Sequence, residues 1–283
     1  MGNKIFEPVI LILFFTLFLP ACEKMEIRGF IVSYETADQR FEQSIEWNNH
    51  NGFREITTDR DNYLLYSMGD SHVGGTANLD LFFREAQNED PVAAVMVGDL
   101  TNGHEANYIA FREHLPDKDS LLTFPIAGNH DIYFGGWKHY HSIFGSSTYT
   151  FIINTPAASD LFICLDSGGG TLGTRQLDWL GNLLETTRND YRYCIIFTHN
   201  NLFRLRPTTS TNPFVEEIHV LLDLFLRYNV DMVVTAHDHK RNTGILGNTT
   251  HIIMDALSDE YDHAGYMKIF INTAAIEYVF VNL

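Results

Sequence analysis

From Asn62 onward the chain alternates between short apolar runs and longer amphipathic stretches. The runs of strand length are Tyr63–Tyr66, Val92–Val97, Leu121–Ile126, Tyr149–Ile153, Leu161–Leu165, Tyr193–Phe197, Val230–Thr235, His251–Met254, Tyr266–Ile271 and Ile276–Val281. Several are apolar at every position, as strands covered on both faces are. Between them lie stripes at helical spacing: Leu79, Leu81, Phe82, Phe83 and Ala86; Leu177, Trp179, Leu180, Leu183 and Leu184; and Val215 to Phe225. Strands alternating with helices predict a layered α/β fold. The last three runs are closely spaced, with turn residues at Gly247-Asn248 and Asn272-Thr273. They predict antiparallel strands completing a second sheet.

Before Asn62 the pattern is weaker. Gly29–Tyr34 has one strand-like patch, and Phe41, Ile45 and Trp47 fall near helical spacing. Residues 22–61 are expected to tether or cover a domain spanning 62–283. The first 21 residues have another character. A run from Val9, broken only by Thr16, ends before Pro20. It is shorter than the roughly 20 apolar residues that span a bilayer and matches the core of a secretory signal. Leu19-Pro20-Ala21-Cys22 resembles the lipobox of bacterial lipoproteins, in which the signal is cleaved before the cysteine and the cysteine is lipidated. The resemblance implies a lipid anchor on Cys22 and a place in the bacterial envelope, periplasmic or on the outer surface. A plain signal peptide and a buried strand are the alternatives.

A formal charge of −17 argues against a protein that tracks nucleic-acid backbones, because that requires clustered Lys and Arg. Small phosphorylated substrates stay open, since a bound cation can dominate its own surroundings. Cys164 and Cys194 each lie in an apolar run and read as buried, unpaired thiols.

The chemistry gathers just past the strand-like runs. Gly69-Asp70-Ser71-His72 follows the first, Gly98-Asp99-Leu100-Thr101-Asn102 the second and Gly128-Asn129-His130-Asp131 the third. Thr198-His199-Asn200 and Ala236-His237-Asp238-His239 follow two later ones. Ligands of open α/β sheets bind beyond the carboxyl ends of strands, so the five ends could converge on one site. In Asp70-x-His72 and His237-x-His239, an extended strand end would aim both side chains of a pair to one side. Imidazole and carboxylate together suit Mn, Fe or Zn better than Ca or Mg. Each motif alone usually marks a solvated turn; five of them, each after a strand, are hard to obtain by chance. No Gly-x-Ser-x-Gly elbow is present, so serine catalysis has no support.

The order Asp-x-His, Gly-Asp, Gly-Asn-His-Asp, His and His-x-His resembles the calcineurin-like metallophosphoesterase superfamily from Asn62 to about the C-terminus. One departure is Ala236, where the family commonly has Gly. The resemblance implies an αββα sandwich of two mixed sheets flanked by helices. It also implies two divalent or trivalent transition-metal ions, the first held by Asp70, His72 and His239 and the second by Asn129, His199 and His237, with Asp99 bridging. His130 would face the phosphate and Asp131 would orient it. Hydroxide held between two cations would then attack phosphorus in line. Asn102, Tyr133, Asn200 and Arg204 are further candidates for contacting substrate.

Branch markers narrow the resemblance. Protein Ser/Thr phosphatases carry Arg shortly after the bridging Asp, in Gly-Asp-x-Val-Asp-Arg-Gly; here the segment is Gly98-Asp99-Leu100-Thr101-Asn102-Gly103. Purple acid phosphatases place Tyr where Asn102 stands. Periplasmic 5′-nucleotidases add a large C-terminal domain, for which the sequence after the motifs leaves no room. The expectation is a small bacterial phosphoesterase, similar to the cyclic-nucleotide phosphodiesterase-like branch, acting on a nucleotide or another small phosphomono- or diester. A catalytically idle, lipid-anchored binding or envelope protein on the same fold is the competing expectation.

Overall fold

The structure is a computed structural model that describes residues 29, 31–51, 54–202 and 215–283. The Cys22 anchor and Arg204 therefore lie outside the described residues. Helix α1 (Ala37–Asn51) leads into strands β1 (Arg54–Thr57) and β2 (Tyr63–Met68). Then come α2 (Ala77–Glu89), β3 (Ala93–Val97), α3 (Glu105–Glu113), β4 (Thr123–Ile126), the single turn α4 (Asn129–Ile132) and α5 (Trp137–Phe144). β5 (Tyr149–Asn154), β6 (Ser159–Leu165), α6 (Gly173–Thr187), β7 (Cys194–Thr198) and α7 (Val215–Arg227) follow. β8 (Met232–Thr235), β9 (Asn242–Leu246), β10 (Thr249–Ile253), β11 (Gly265–Ile271) and β12 (Ile276–Asn282) complete the chain.

Alternation within strands builds the layers. Ala93, Val95 and Val97 of β3 point between the sheets, while Ala94 and Met96 face helices. The seven-stranded sheet has the order β1-β5-β6-β7-β8-β10-β9 and the five-stranded sheet β12-β11-β2-β3-β4. Both are mixed: β2, β3 and β4 run parallel, as do β6, β7, β8 and β10, while β11 and β12 are antiparallel. Between the sheets Phe124 of β4 stacks on Phe151 of β5 at 3.9 Å, and Phe151 on Phe162 of β6 at 4.6 Å. Burying each such ring stabilises the fold by about 2–3 kcal/mol. Phe82 and Phe83 of α2, Tyr108 of α3 and Trp137 of α5 cover the outer face of the five-stranded sheet. Leu180 of α6 and Leu221 and Phe225 of α7 cover the seven-stranded one. The expected αββα sandwich is the observed fold.

Several local expectations change. Gly29 and residues 31–34 form no strand; Val32 N–H donates to the Gly29 carbonyl at 3.2 Å in a turn. Of the last three runs, only β11 and β12 join the second sheet. β10 lies parallel to β8 in the first and pairs with β9 as a hairpin. Before Asn62 the described residues pack on the sandwich, as a covering segment does. β1 pairs with β5 at the sheet edge, and α1 packs with its Arg40 side chain buried against Asp166 (Nε to Oδ2 2.7 Å). Cys164 faces the inter-sheet core and Cys194 the helix side, so the two thiols are free, and burial pushes both up to about 12. No helix among the described residues is long and apolar enough to cross a membrane.

Candidate metal centre

The carboxyl ends of β2, β3, β4, β7 and β8 meet along one edge of the sandwich. The loops beyond them are sewn together through the backbone. Asp70 N–H donates to the Gly98 carbonyl and His72 N–H to that of Asp99, both at 2.9 Å, and Ala236 N–H donates to the His199 carbonyl at 3.0 Å. The sheets are joined at the same place, because His199 Nδ1 lies 2.9 Å from the Val97 carbonyl and donates to it.

Asp70, His72, Asp99, His237 and His239 all have positive φ, between 43° and 71°. The ligand pairs are therefore hooked rather than extended, contrary to the sequence expectation. A left-handed non-glycine residue costs on the order of 1–3 kcal/mol. Here the hooks accompany a convergence of the side chains beyond the strand ends. Gly98, at φ 82°, has no room for a side chain: a Cβ would lie 2.6 Å from His199 Nδ1. Ala236 is tolerated opposite Gly69, whose missing side chain leaves space for its methyl group.

The side chains fall into two groups sharing Asp99. Potential ligand atoms of Asp70, His72, Asp99 and His239 lie within 4.8 Å of one another, as do those of Asp99, His199 and His237. Asp99 Oδ1 accepts the His130 N–H at 2.7 Å, which leaves Oδ2 facing both groups, 3.3 Å from His199 Nε2 and 3.7 Å from His72 Nε2. Asn129 Oδ1 joins the second group, 3.2 Å from His199 Nε2. In the first group His72 Nε2 and His239 Nε2 are 3.3 Å apart, and His239 Nε2 lies 3.3 Å from Asp70 Oδ1.

These donor sets fit cations. Asp70 Oδ2 accepts the His237 N–H at 2.8 Å, but Asp70 Oδ1 is buried with no hydrogen-bond partner among the described residues. A buried carboxylate oxygen without a donor is expensive, and a cation among converging imidazole nitrogens would complete it. Burial raises the Asp99 carboxyl, yet His199 and His130 outweigh it and hold the group well below its ordinary range. Burial pushes His72 down to about 4, against the pull of Asp99, as a neutral ligating imidazole needs; at His199 burial is outweighed by the pull of Asp99, which lifts the ring to about 9, so a cation there would have to displace its proton.

The remaining candidates separate by what they touch. His130 meets His72 edge-on at 4.6 Å, and no described residue hydrogen-bonds its ring. Asp131 does not orient it. Both Asp131 oxygens are taken up by Gly128 N–H, Leu100 N–H, Thr101 N–H and the Thr101 hydroxyl, at 2.9–3.1 Å. Asp131 thus ties the loop after β3 to the loop after β4 and is a positioning residue. Asn102, expected at the substrate, turns its Oδ1 to His72 Nδ1 at 3.2 Å. Tyr133 is buried, with its hydroxyl accepting from Asn129 Nδ2 at 3.2 Å. Asn200 is buried and fastened to Ser167 through its N–H at 2.8 Å and its Nδ2 at 3.0 Å. Asn102 and Tyr133 thus each touch a ligand residue, and Asn200 directly follows one in the chain. Sequence reasoning missed Tyr261, whose hydroxyl lies 2.5 Å from His239 Nδ1, and Ser167. Neither lies in a motif, and Tyr261 sits in the polar run Ser258-Asp259-Glu260-Tyr261-Asp262-His263, which reads as a solvated loop.

Fold and site together define a class: an αββα protein with Asp, Asn and His side chains placed to hold two cations side by side. The chain belongs to the calcineurin-like phosphoesterase family, which it matches over residues 65–241. That family is dinuclear-metal dependent, and at family level it carries hydrolase activity. Solved structures share the fold. One is a dimetal phosphatase from Danio rerio (TM-score 0.61, 12% identity, 78% of this chain and 98% of that one). Another is GAP50, described as the anchor in the inner membrane complex of Plasmodium (TM-score 0.65, 13% identity, 79% and 85%). A putative 5′-nucleotidase from Staphylococcus aureus is also similar (TM-score 0.55, 11% identity, 78% of this chain); the chain spans 54% of its length. No curated protein matches the chain.

Proposed function

We propose that the protein hydrolyses phosphate esters with two transition-metal ions, one at Asp70, His72 and His239, the other at Asn129, His199 and His237, and Asp99 shared. The observation that carries this reading is the pair of ligand groups meeting at the single oxygen Asp99 Oδ2. Two cations there would supply a water-derived nucleophile at neutral pH and neutralise charge on the phosphoryl oxygens. The chain's own groups do the rest. His130 N–H fixes the rotamer of Asp99. The His130 ring, beside the first group, is placed to bind a phosphoryl oxygen or protonate the leaving group. Asp131 holds the two loops that carry Asp99 and His130 in register.

The substrate we propose is a nucleotide or another small phosphomono- or diester, met outside the cytoplasm by a bacterial protein anchored through lipid on Cys22. The Leu19-Pro20-Ala21-Cys22 sequence and the Gly-Asp-Leu-Thr segment at 98–101 support that refinement. A second reading, a non-catalytic anchoring or envelope protein, is favoured by the likeness to GAP50. The retained ligand groups weigh against it.

Purified full-length protein, loaded with Mn²⁺ and assayed on aryl phosphomonoesters and phosphodiesters, separates the two. Turnover is expected, and Asp99→Asn is expected to lower it by at least about a hundredfold with the circular-dichroism spectrum unchanged, because a neutral amide oxygen bridges two cations far more weakly than a carboxylate. Folded, metal-loaded protein that is inactive across the panel would leave the anchoring reading standing.

A further inference from the structure

Each histidine that would bind through Nε2 is gripped at its other nitrogen, and the grip differs from ring to ring. His199 Nδ1 meets a backbone carbonyl, that of Val97. His72 Nδ1 meets the amide oxygen of Asn102. His239 Nδ1 meets the hydroxyl of Tyr261 at 2.5 Å, the shortest of the three contacts. None of these partners is a carboxylate. The Tyr261 ring also stands edge-on to His239, with centroids 4.8 Å apart.

Tyr261 is itself held in place by the loop that carries it. Leu257 N–H and Ser258 N–H donate to the carbonyls of Gly69 and Asp70, both at 3.0 Å, and Tyr261 N–H donates to the Ser258 carbonyl at 3.2 Å. Between them, Asp259 accepts the N–H groups of Ala77 and Asn78 at the start of α2, at 3.0 and 2.8 Å. The loop is therefore fastened both to the ligand-bearing hook at Asp70 and to a helix.

We infer that Tyr261 is a positioning residue for the first metal position, fixing His239 in the tautomer whose Nε2 lone pair faces Asp70 Oδ1. A neutral imidazole carries one N–H, and a partner on one nitrogen selects which. With Nε2 left bare for a cation, Nδ1–H donates to the phenolic oxygen. Without that acceptor the proton can move to Nε2, where it blocks ligation, or the ring can rotate. Outer partners of ligating histidines commonly contribute 10–100-fold in metal affinity. A phenol also pushes less electron density into the ring than a carboxylate does, which would leave a cation beside His239 the stronger Lewis acid. The inference rests on the proposed dinuclear site and concerns one half of it.

Tyr261→Phe keeps the ring and removes only the hydroxyl. Co²⁺ titration of the full-length, metal-free protein, followed in the visible spectrum, resolves tight and weak binding separately from turnover. Wild type is expected to take up two ions. Tyr261→Phe is expected to weaken one of them about tenfold to a hundredfold and leave the other unchanged, with an unaltered melting temperature for the metal-free protein. Two binding steps identical to wild type would overturn the role of Tyr261 and leave the dinuclear site intact. A wild-type chain that binds no Co²⁺ would overturn both. Should Tyr261→Phe melt earlier, the titration is made well below its melting temperature, where the same selective loss must appear; full Co²⁺ affinity of the folded variant would also overturn the inference.

Discussion

At the smallest scale the site depends on how few atoms share a small space. Asp99 sends Oδ1 to the His130 N–H and keeps Oδ2 for the two ligand groups, and this division works only while its backbone sits close against Gly128. A Cβ on Gly128 would overlap both Asp99 Oδ1 and the Asp99 backbone nitrogen. Gly128→Ala is therefore expected to cost about 1–3 kcal/mol of stability in the metal-free protein, as overpacking does, and to weaken metal binding as well. Gly74 is the control, since its Cβ would approach only the His72 carbonyl, at 3.9 Å. Thermal melts and a metal titration of both variants check this; equal behaviour of the two would count against the crowding argument. The ligand types were legible in the sequence because Asp, Asn and His after glycine are chemically distinctive. Their hooked backbone was not, since spacing alone does not report the sign of φ. Neither were the jobs of Asp131 and Asn102, which depend on atoms about 30 residues away.

Among the elements, α1 is where sequence reading fell furthest short. Its apolar residues are few, and Arg40 looks like any surface arginine on a polar helix. Only the folded chain shows Arg40 buried, with Nε and Nη2 on the Asp166 carboxylate at 2.7 and 3.3 Å and Nη1 on the Glu35 carbonyl at 3.0 Å. Asp166 begins the loop whose next residue, Ser167, accepts the Asn200 N–H at 2.8 Å and contacts the Thr198 hydroxyl at 2.8 Å. The N-terminal helix is thus connected, through two side chains, to the loop bearing His199. Removing one member of a buried ion pair leaves the other charged and unsolvated, at a cost of about 3–5 kcal/mol. Arg40→Met is expected to destabilise by that amount in denaturant unfolding, and adding Asp166→Leu should recover much of the loss. If Arg40→Met alone unfolds at the wild-type midpoint, the pair does not secure α1. By contrast, the doubly apolar strands and the stripes of α2, α6 and α7 were plain in the sequence, because burial on a sheet face or a helix face leaves a period of its own. The edge strands β1 and β9 were not. Their residues are mostly exposed or half-buried, and they are strands through pairing rather than through hydrophobic pattern.

Across the whole molecule, two sheets bring five strand ends to one edge, three from the smaller sheet and two from the larger. The order of those strands along the chain is the order of the motifs, which is why the αββα architecture could be anticipated before any packing was known. The division of β10 from β11 and β12 between the sheets could not, because closely spaced strands look alike whether they pair with each other or with distant partners. A chain of net charge −17 that gathers buried carboxylates at one edge is arranged to gain from cations there. The shared dinuclear centre is tested most directly by anomalous diffraction from crystals of the Mn²⁺-loaded protein. Two manganese peaks are expected, one on either side of Asp99 Oδ2, the first among Asp70, His72 and His239 and the second among Asn129, His199 and His237. No manganese at Asp99, or a single ion that does not touch it, would contradict a shared dinuclear centre.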